Sequence, residues 1–179
     1  MFAFLIWDDN NKTLYGARDF FGIKPMYYSN QDGHLLVGSE LKSFLEYPKF
    51  KRELNVEAVK PYLMNQYNDL EETFFKGVYR FPAGHWFEYK DGEMKTHQYW
   101  DAEYKENSLS FEETLKRIND DLKETVDLYR IADVKVGAFL SEGIDSSYLT
   151  TLLNPDDVFS VSFDDSTYDE ASKASRCPT

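Results

Sequence analysis

The stretch Phe139-Leu-Ser-Glu-Gly-Ile-Asp-Ser-Ser147 gathers the residue types that hold an anion. It follows an apolar run, Val134 to Leu140, that reads as a strand, and it opens Asp145 to Leu153, which reads as a helix. A helix N-terminus presents N–H groups without intrahelical partners and the positive end of the helix dipole, so anions bind there. Gly143 lets the backbone approach a phosphate closely, Ser141 and Ser146 add hydroxyl donors, and Asp145 can ligate Mg²⁺. The spacing makes a phosphate-site candidate. It is equally compatible with a plain polar turn in which Asp145 or Ser146 caps the helix.

Few other residues compete for a chemical role. His34, His85 and His97 are scattered without metal-ligand spacing and read as surface or strand residues. Cys177 is the sole cysteine, so no disulfide closes within the chain; it reads as an ordinary free thiol in a reducing, cytoplasmic setting. The net charge of −12 argues against a nucleic-acid backbone as partner. It leaves a nucleotide site open, because such a site is built from backbone N–H groups and a metal. No apolar run approaches a membrane span. Met1 to Trp7 is short and lacks a basic flank, and reads as a buried strand rather than a signal peptide. A chain that opens inside a strand carries the expectation of further sequence upstream.

The elements that must carry these residues follow from pattern. With 42% hydrophobic residues, 14 Phe and 13 Tyr, the chain has material for a packed core. Phe2 to Trp7, Thr13 to Ala17, Met26 to Tyr28 and Leu35 to Val37 read as short antiparallel strands of one sheet, broken by Asp8-Asp-Asn-Asn11, a loop through Gly22 and Pro25, and Asn30-Gln-Asp-Gly33. Glu40 to Tyr47 reads as a short helix. Asn55 caps a second over Val56 to Asn65, with a kink expected at Pro61. Val78 to Phe81, His85 to Tyr89 and Met94 to Trp100 read as strands, the last two joined by an Asp91-Gly92 hairpin. Asp101 to Ser108 is polar and aperiodic, a linker. Ser110, with Glu113 as its capping-box partner, starts a helix whose Leu115, Ile118, Leu122, Val126 and Tyr129 share a face. Val134 to Leu140, the helix from Asp145 and a strand from Val158 to Phe163 then form a βαβ unit with parallel strands.

Ser141-Glu-Gly-Ile-Asp-Ser146 is similar to the Ser-Gly-Gly-x-Asp-Ser loop of the ATP pyrophosphatase superfamily. That resemblance implies cleavage of ATP between its α- and β-phosphates. Ser141, Gly143, Asp145 and Ser146 would hold the pyrophosphate end, with Asp145 at Mg²⁺. Phe139 and Val161 would be neighbours of the adenine, or plain core residues. Upstream, Met1-Phe-Ala-Phe4, Gly16-Ala-Arg-Asp19, Gly22-Ile-Lys-Pro-Met-Tyr-Tyr28 and Gly38-Ser-Glu-Leu-Lys42 resemble the later half of a class II glutamine amidotransferase domain. Arg80-Phe-Pro-Ala-Gly84 and Tyr99-Trp-Asp101 resemble the close of that domain in the asparagine synthetases. Together they cover essentially the whole chain, in order.

The resemblance implies an α/β chain in two parts. Residues 1–105 would be the C-terminal part of an incomplete αββα glutaminase sandwich of the Ntn type. Residues 106–179 would start a doubly wound parallel-sheet synthetase domain. The family reaction joins aspartate, glutamine and ATP through an aspartyl-adenylate, with ammonia released from glutamine; the full-length enzyme would be a cytoplasmic homodimer. Arg18 and Asp19, like Glu40 and Lys42, read as a structural ion pair or turn rather than as glutamine ligands.

Three departures bear on activity. The family's catalytic N-terminal Cys has no counterpart, since Met1 is followed by Phe2, so this chain alone is not expected to hydrolyse glutamine by that route. The aspartate site would lie beyond Thr179, and Ser175-Arg-Cys-Pro-Thr179 does not continue a helix well; truncation or a frameshift is the expectation, with doubtful independent stability. Glu142 stands where the motif has Gly. A side chain at a left-handed position costs about 1–2 kcal/mol, and a carboxylate about 4 Å from a phosphate charge costs up to about 4 kcal/mol at a dielectric near 20. ATP affinity lowered roughly tenfold to a thousandfold follows. Two rivals stand beside the synthetase: a related amide-forming enzyme such as a β-lactam synthetase, and a non-catalytic remnant or interaction module.

Overall fold

The computed structural model describes residues 1–31, 33–141 and 143–161. Asp32, Glu142, the far end of the strand expected to reach Phe163, Cys177 and the closing Ser175–Thr179 lie outside the described residues. The chain is mixed α/β, with antiparallel sheets and few helices, and it divides into two compact units, Met1–Tyr104 and Lys105–Thr179.

In chain order the first unit holds β1 (Ala3–Asp8), β2 (Thr13–Arg18), β3 (Tyr27–Gln31), β4 (His34–Gly38), α1 (Val59–Asn65), β5 (Tyr79–Arg80), β6 (His85–Lys90) and β7 (Glu93–Gln98). The strands do not make one sheet, as their succession suggests, but two. One is ordered β1-β2-β6-β7 and the other β4-β3-β5, all pairs antiparallel. The division has a local cause and a distant one. Between β2 and β3 the chain turns at Gly22, in the left-handed region at φ 63°, so β3 leaves the first sheet. The place beside β2 is then taken by β6, about 70 residues later, with Gly16 opposite Phe87. Met26, Phe81 and Phe87 form the buried centre, and Leu14, Tyr28, Val37, Tyr89 and Met94 from both sheets pack against it. The Phe81 and Phe87 rings meet edge to face at 5.1 Å.

Turn chemistry sets the hairpins. The Asp8 carboxylate accepts the N–H groups of Asn10 and Asn11 at 2.9 and 3.1 Å and closes the β1–β2 turn. Asp91 and Gly92 take φ of 51° and 87°, the two left-handed positions of a type I′ hairpin. Gly84 sits at φ 66°, and a Cβ there would lie 2.5 Å from the Trp100 carbonyl oxygen; only glycine fits.

Arg18 and Asp19 are not an ion pair with each other; both serve the backbone. The Arg18 guanidinium donates to the carbonyls of Lys24, Gly22 and Phe81. The buried Asp19 carboxylate accepts the N–H groups of Phe2, Ile23 and Lys24 at 3.1, 2.9 and 3.0 Å. Burial pushes the Asp19 pKa up, but the backbone hydrogen bonds outweigh it and hold the group below its ordinary value. Glu40 and Lys42 do pair, at 2.6 Å on the exposed surface.

The two helices expected before β5 are tighter than their periodicity suggests. Leu41–Glu46 and Val56–Ala58 are 3₁₀ turns, and only Val59–Asn65 is α-helical. Asn55 caps as expected, its side chain accepting the Glu57 N–H at 3.1 Å. Pro61 is the third residue of α1. Its missing N–H falls in the first turn, where no helix bond is lost, so the helix has no reason to kink there.

The second unit contains α2 (Phe111–Tyr129), β8 (Gly137–Phe139), α3 (Ile144–Leu153) and β9 (Asp157–Phe159). Ser110 and Glu113 form the full capping box, at 3.2 and 2.9 Å. β8 and β9 are parallel, Gly137 opposite Asp157 and Phe139 opposite Phe159, and α3 crosses between them. The first strand is shorter than the apolar run Val134 to Leu140, because only three of its residues find ladder partners.

Candidate functional site

The candidate loop joins β8 to α3. Leu140 is buried, and its N–H donates to the Phe159 carbonyl at 2.8 Å, which anchors the loop's first residue to β9. Ser160 Oγ donates to the Leu140 carbonyl at 2.7 Å and ties the same residue a second time. The chain then passes through the half-buried Ser141, reaches Gly143, and starts the helix.

Gly143 is the N-cap, in extended backbone at φ −70° and ψ 144°, and among the described residues no side chain caps α3. Neither Asp145 nor Ser146 is therefore the cap that the plain-turn reading required; both lie within the helix. Ser147 N–H makes the first helix bond, to the Gly143 carbonyl at 3.1 Å. The N–H groups of the first turn precede it, at the positive end of the helix.

Ser141 and Ser146 meet beside this turn. Their Oγ atoms lie 2.9 Å apart, and Ser146 Oγ is also 3.0 Å from the Gly143 carbonyl. Gly143 N–H donates to Ser141 Oγ at 3.2 Å, a long bond. A Cβ on Gly143 would sit 3.2 Å from Ser141 Oγ and 3.7 Å from Ser146 Oγ. The glycine is used here for space beside the two hydroxyls, not for its freedom at positive φ.

Asp145 is the acidic residue in the first turn and is exposed. Phe139 is 80% and Val161 61% exposed, so neither is a core residue of this unit. The Phe139 and Phe159 rings lie 6.1 Å apart at the end of the β8–β9 pair. Ser141, Gly143 and Ser146 are thus brought together and Asp145 lies one residue from them, whereas Phe139 and Val161 stand on the strand side of the loop. Ser147 and Ser160, outside the motif's four matched residues, also serve the loop. Ser147 Oγ donates to the Gly143 carbonyl at 2.9 Å and braces the cap. Ser160 was findable from its place at the end of the second parallel strand, where βαβ loops converge.

Among the described residues no group of three His, Cys, Asp or Glu side chains gathers as a metal cage. The donor set offered is one carboxylate, which suits Mg²⁺ shared with phosphate oxygens and water rather than a metal held by protein alone. No helix among the described residues is long and apolar enough to cross a membrane.

Residues 1–100 match the glutamine amidotransferase domain family, and residues 117–178 match the asparagine synthase family. The glutamine-hydrolysing asparagine synthetase 1 of Bacillus subtilis is 34% identical over 179 residues, 97% of this chain and 28% of its own length. Amidase chyE of Penicillium rubens is 40% identical over 152 residues, 82% of this chain and 22% of its own. Amidase chry2 of Gibberella zeae is 35% identical over 158 residues, 86% of this chain and 23% of its own. The chain thus spans about a quarter of the length of these relatives. By the match over its first 100 residues, the chain belongs to the glutamine amidotransferase domain family, followed by sequence of the asparagine synthase family.

Proposed function

We propose that the β8–α3 loop is the pyrophosphate-holding part of an ATP site, and that the chain contributes it to a glutamine-dependent asparagine synthetase. The observation that carries the reading is the N-terminus of α3, capped by no side chain among the described residues, with the Ser141 and Ser146 hydroxyls beside it. In that reading Ser141, Ser146 and the Gly143 N–H exchange their mutual hydrogen bonds for phosphate oxygens of the substrate ATP. The exchange costs little, since the bond from Gly143 is long. Asp145 would take Mg²⁺, which neutralises charge on the leaving pyrophosphate. The fixed N–H groups and hydroxyls stabilise the same charge as it develops, which is where such groups lower a barrier. Phe139 and Val161, exposed at the end of the parallel pair, would offer apolar surface to the adenine.

The reaction proposed for the whole protein is amidation of aspartate with ammonia from glutamine, driven by cleavage of ATP to AMP and pyrophosphate. Residues 1–105 would be the C-terminal part of the αββα glutaminase. Their two antiparallel sheets with a shared apolar centre support the ββ layers. Residues 106–179 would open the doubly wound synthetase sheet, and the β8-α3-β9 crossover supports that topology. A cytoplasmic location and a homodimer of the longer protein complete the proposal. The two fungal relatives are both named amidases, which makes an amide-centred reaction other than asparagine synthesis the second reading.

The test is calorimetric titration of the chain with MgATP, in parallel with Ser146→Ala. Saturable one-to-one binding that weakens at least tenfold in Ser146→Ala supports the proposal. Binding indifferent to that change refutes the assignment of the loop.

A further inference from the structure

Parallel pairing stops at the edge of the candidate loop. The last strand partners are Phe139 and Phe159, and one further backbone bond, from Leu140 N–H to the Phe159 carbonyl, closes the ladder. Among the described residues the Leu140 carbonyl meets no backbone donor; its one partner is Ser160 Oγ, which donates to it at 2.7 Å. A hydroxyl thus stands in for the next ladder N–H. The two chains can part there, one of them toward α3, without leaving the carbonyl of the buried Leu140 unsatisfied.

The peptide from Leu140 to Ser141 is held from both sides, and the two holds are unequal. Its carbonyl takes the Ser160 bond, and its N–H donates to Ser146 Oγ at 3.3 Å. An O–H···O bond of about 2.7–2.8 Å is of ordinary length, whereas about 3.2 Å is already the long end for N–H···O. Ser146 Oγ is shared besides with Ser141 Oγ and the Gly143 carbonyl, at 2.9 and 3.0 Å. Ser160 is therefore the main hold on this peptide. A hydroxyl has one proton to donate, and that of Ser160 is committed to Leu140, so it has none left for a phosphate.

Granted the pyrophosphate reading of the loop, on which this rests, we propose that Ser160 is a positioning residue. It fixes the Leu140–Ser141 peptide, and with it the place of the Ser141 hydroxyl beside the first turn of α3. It grips from β9's end rather than from within the loop, so it still acts when Ser146 turns to a phosphate oxygen. Without it the peptide is free to rotate and Ser141 no longer presents its hydroxyl. The fold depends on it less, because Leu140 stays buried and the β8–β9 ladder is made by backbone alone.

The test titrates Mg²⁺ and inorganic pyrophosphate into the isotope-labelled full chain, unaltered and as Ser146→Ala, Ser160→Ala and Ser160→Thr. Ser160→Ala is expected to weaken pyrophosphate roughly fivefold or more. It should also shift the Ser141 amide before any ligand is added, while the Glu113 amide in the α2 capping box stays in place. Ser160→Thr, which restores the hydroxyl, is expected to return the affinity to within about twofold and the Ser141 amide to its original position. Should Ser160→Ala unfold by circular dichroism, Ser160→Cys, close in shape but a weaker donor, is expected to weaken pyrophosphate roughly threefold or more. Saturable binding that Ser146→Ala weakens and the Ser160 variants leave unchanged, or no rescue by Ser160→Thr, overturns the positioning role alone. No saturable binding by the unaltered chain, or binding indifferent to Ser146→Ala, overturns the pyrophosphate reading and this role with it.

Discussion

Replacing Gly143 by Ala separates the loop's role in binding from its role in folding. At φ −70° and ψ 144° the backbone accepts alanine without strain. The new Cβ would sit 3.2 Å from Ser141 Oγ, a tight contact that a small shift of the hydroxyl relieves, and 3.7 Å from Ser146 Oγ. Alanine is a poorer N-cap than glycine by roughly 0.5–1 kcal/mol. It also restricts the unfolded chain, a gain of about 0.4–1 kcal/mol. These terms nearly cancel, so urea unfolding should move by less than about 1 kcal/mol. Binding has no such compensation, because the methyl group occupies the space beside both hydroxyls. Loss of one hydrogen bond to a charged oxygen costs about 1.5–3 kcal/mol, or roughly ten- to 150-fold in affinity. Urea unfolding and pyrophosphate calorimetry on the same samples measure both quantities. Pyrophosphate affinity within twofold of the unaltered chain, with stability intact, would refute the reasoning.

Three further outcomes follow from other residues. Asp19 has a folded pKa below its unfolded value, so its stabilisation is fully present above about pH 4 and is lost as pH falls through the folded value. Asp19→Asn should cost about 2–4 kcal/mol at pH 7 and flatten the acid limb of a plot of unfolding free energy against pH; an unchanged acid limb would contradict this. Gly84→Ala places a Cβ 2.5 Å from the Trp100 carbonyl oxygen at a left-handed φ. A loss of at least about 2 kcal/mol in thermal or urea unfolding is expected. In a chain extended to the length of its relatives, Glu142→Gly removes a carboxylate from the candidate loop sequence and should tighten MgATP binding roughly tenfold to a thousandfold; equal dissociation constants for the two forms would sink that idea.

Features whose physics is local could be read before any coordinates. The Ser110–Glu113 capping box, the Asp91-Gly92 hairpin and the Asn55 cap each depend on residues within three positions, and all three form. The parallel strands around the loop also follow from local pattern, because a strand, a helix and a strand leave little topological choice. What could not be read depends on distant partners. Arg18 looks like one half of an ion pair until Phe81, 63 residues away, supplies a carbonyl to it. The separation of β3, β4 and β5 from the first sheet depends on β6 occupying the edge of β2. At the loop, composition identified the hydroxyls and the glycine but not which residue caps α3. Asp145 and Ser146 are both favourable caps by type, and the backbone at Gly143 takes the position instead.

In the proposed site the first turn of α3 holds a pyrophosphate group. Titration of the isotope-labelled chain with Mg²⁺ and inorganic pyrophosphate, read at the backbone amides, tests it most directly. Saturable shifts concentrated at Gly143 to Ser147, lost in Ser146→Ala, are the predicted result. No shift there, or shifts of equal size in Ser146→Ala, would contradict the account.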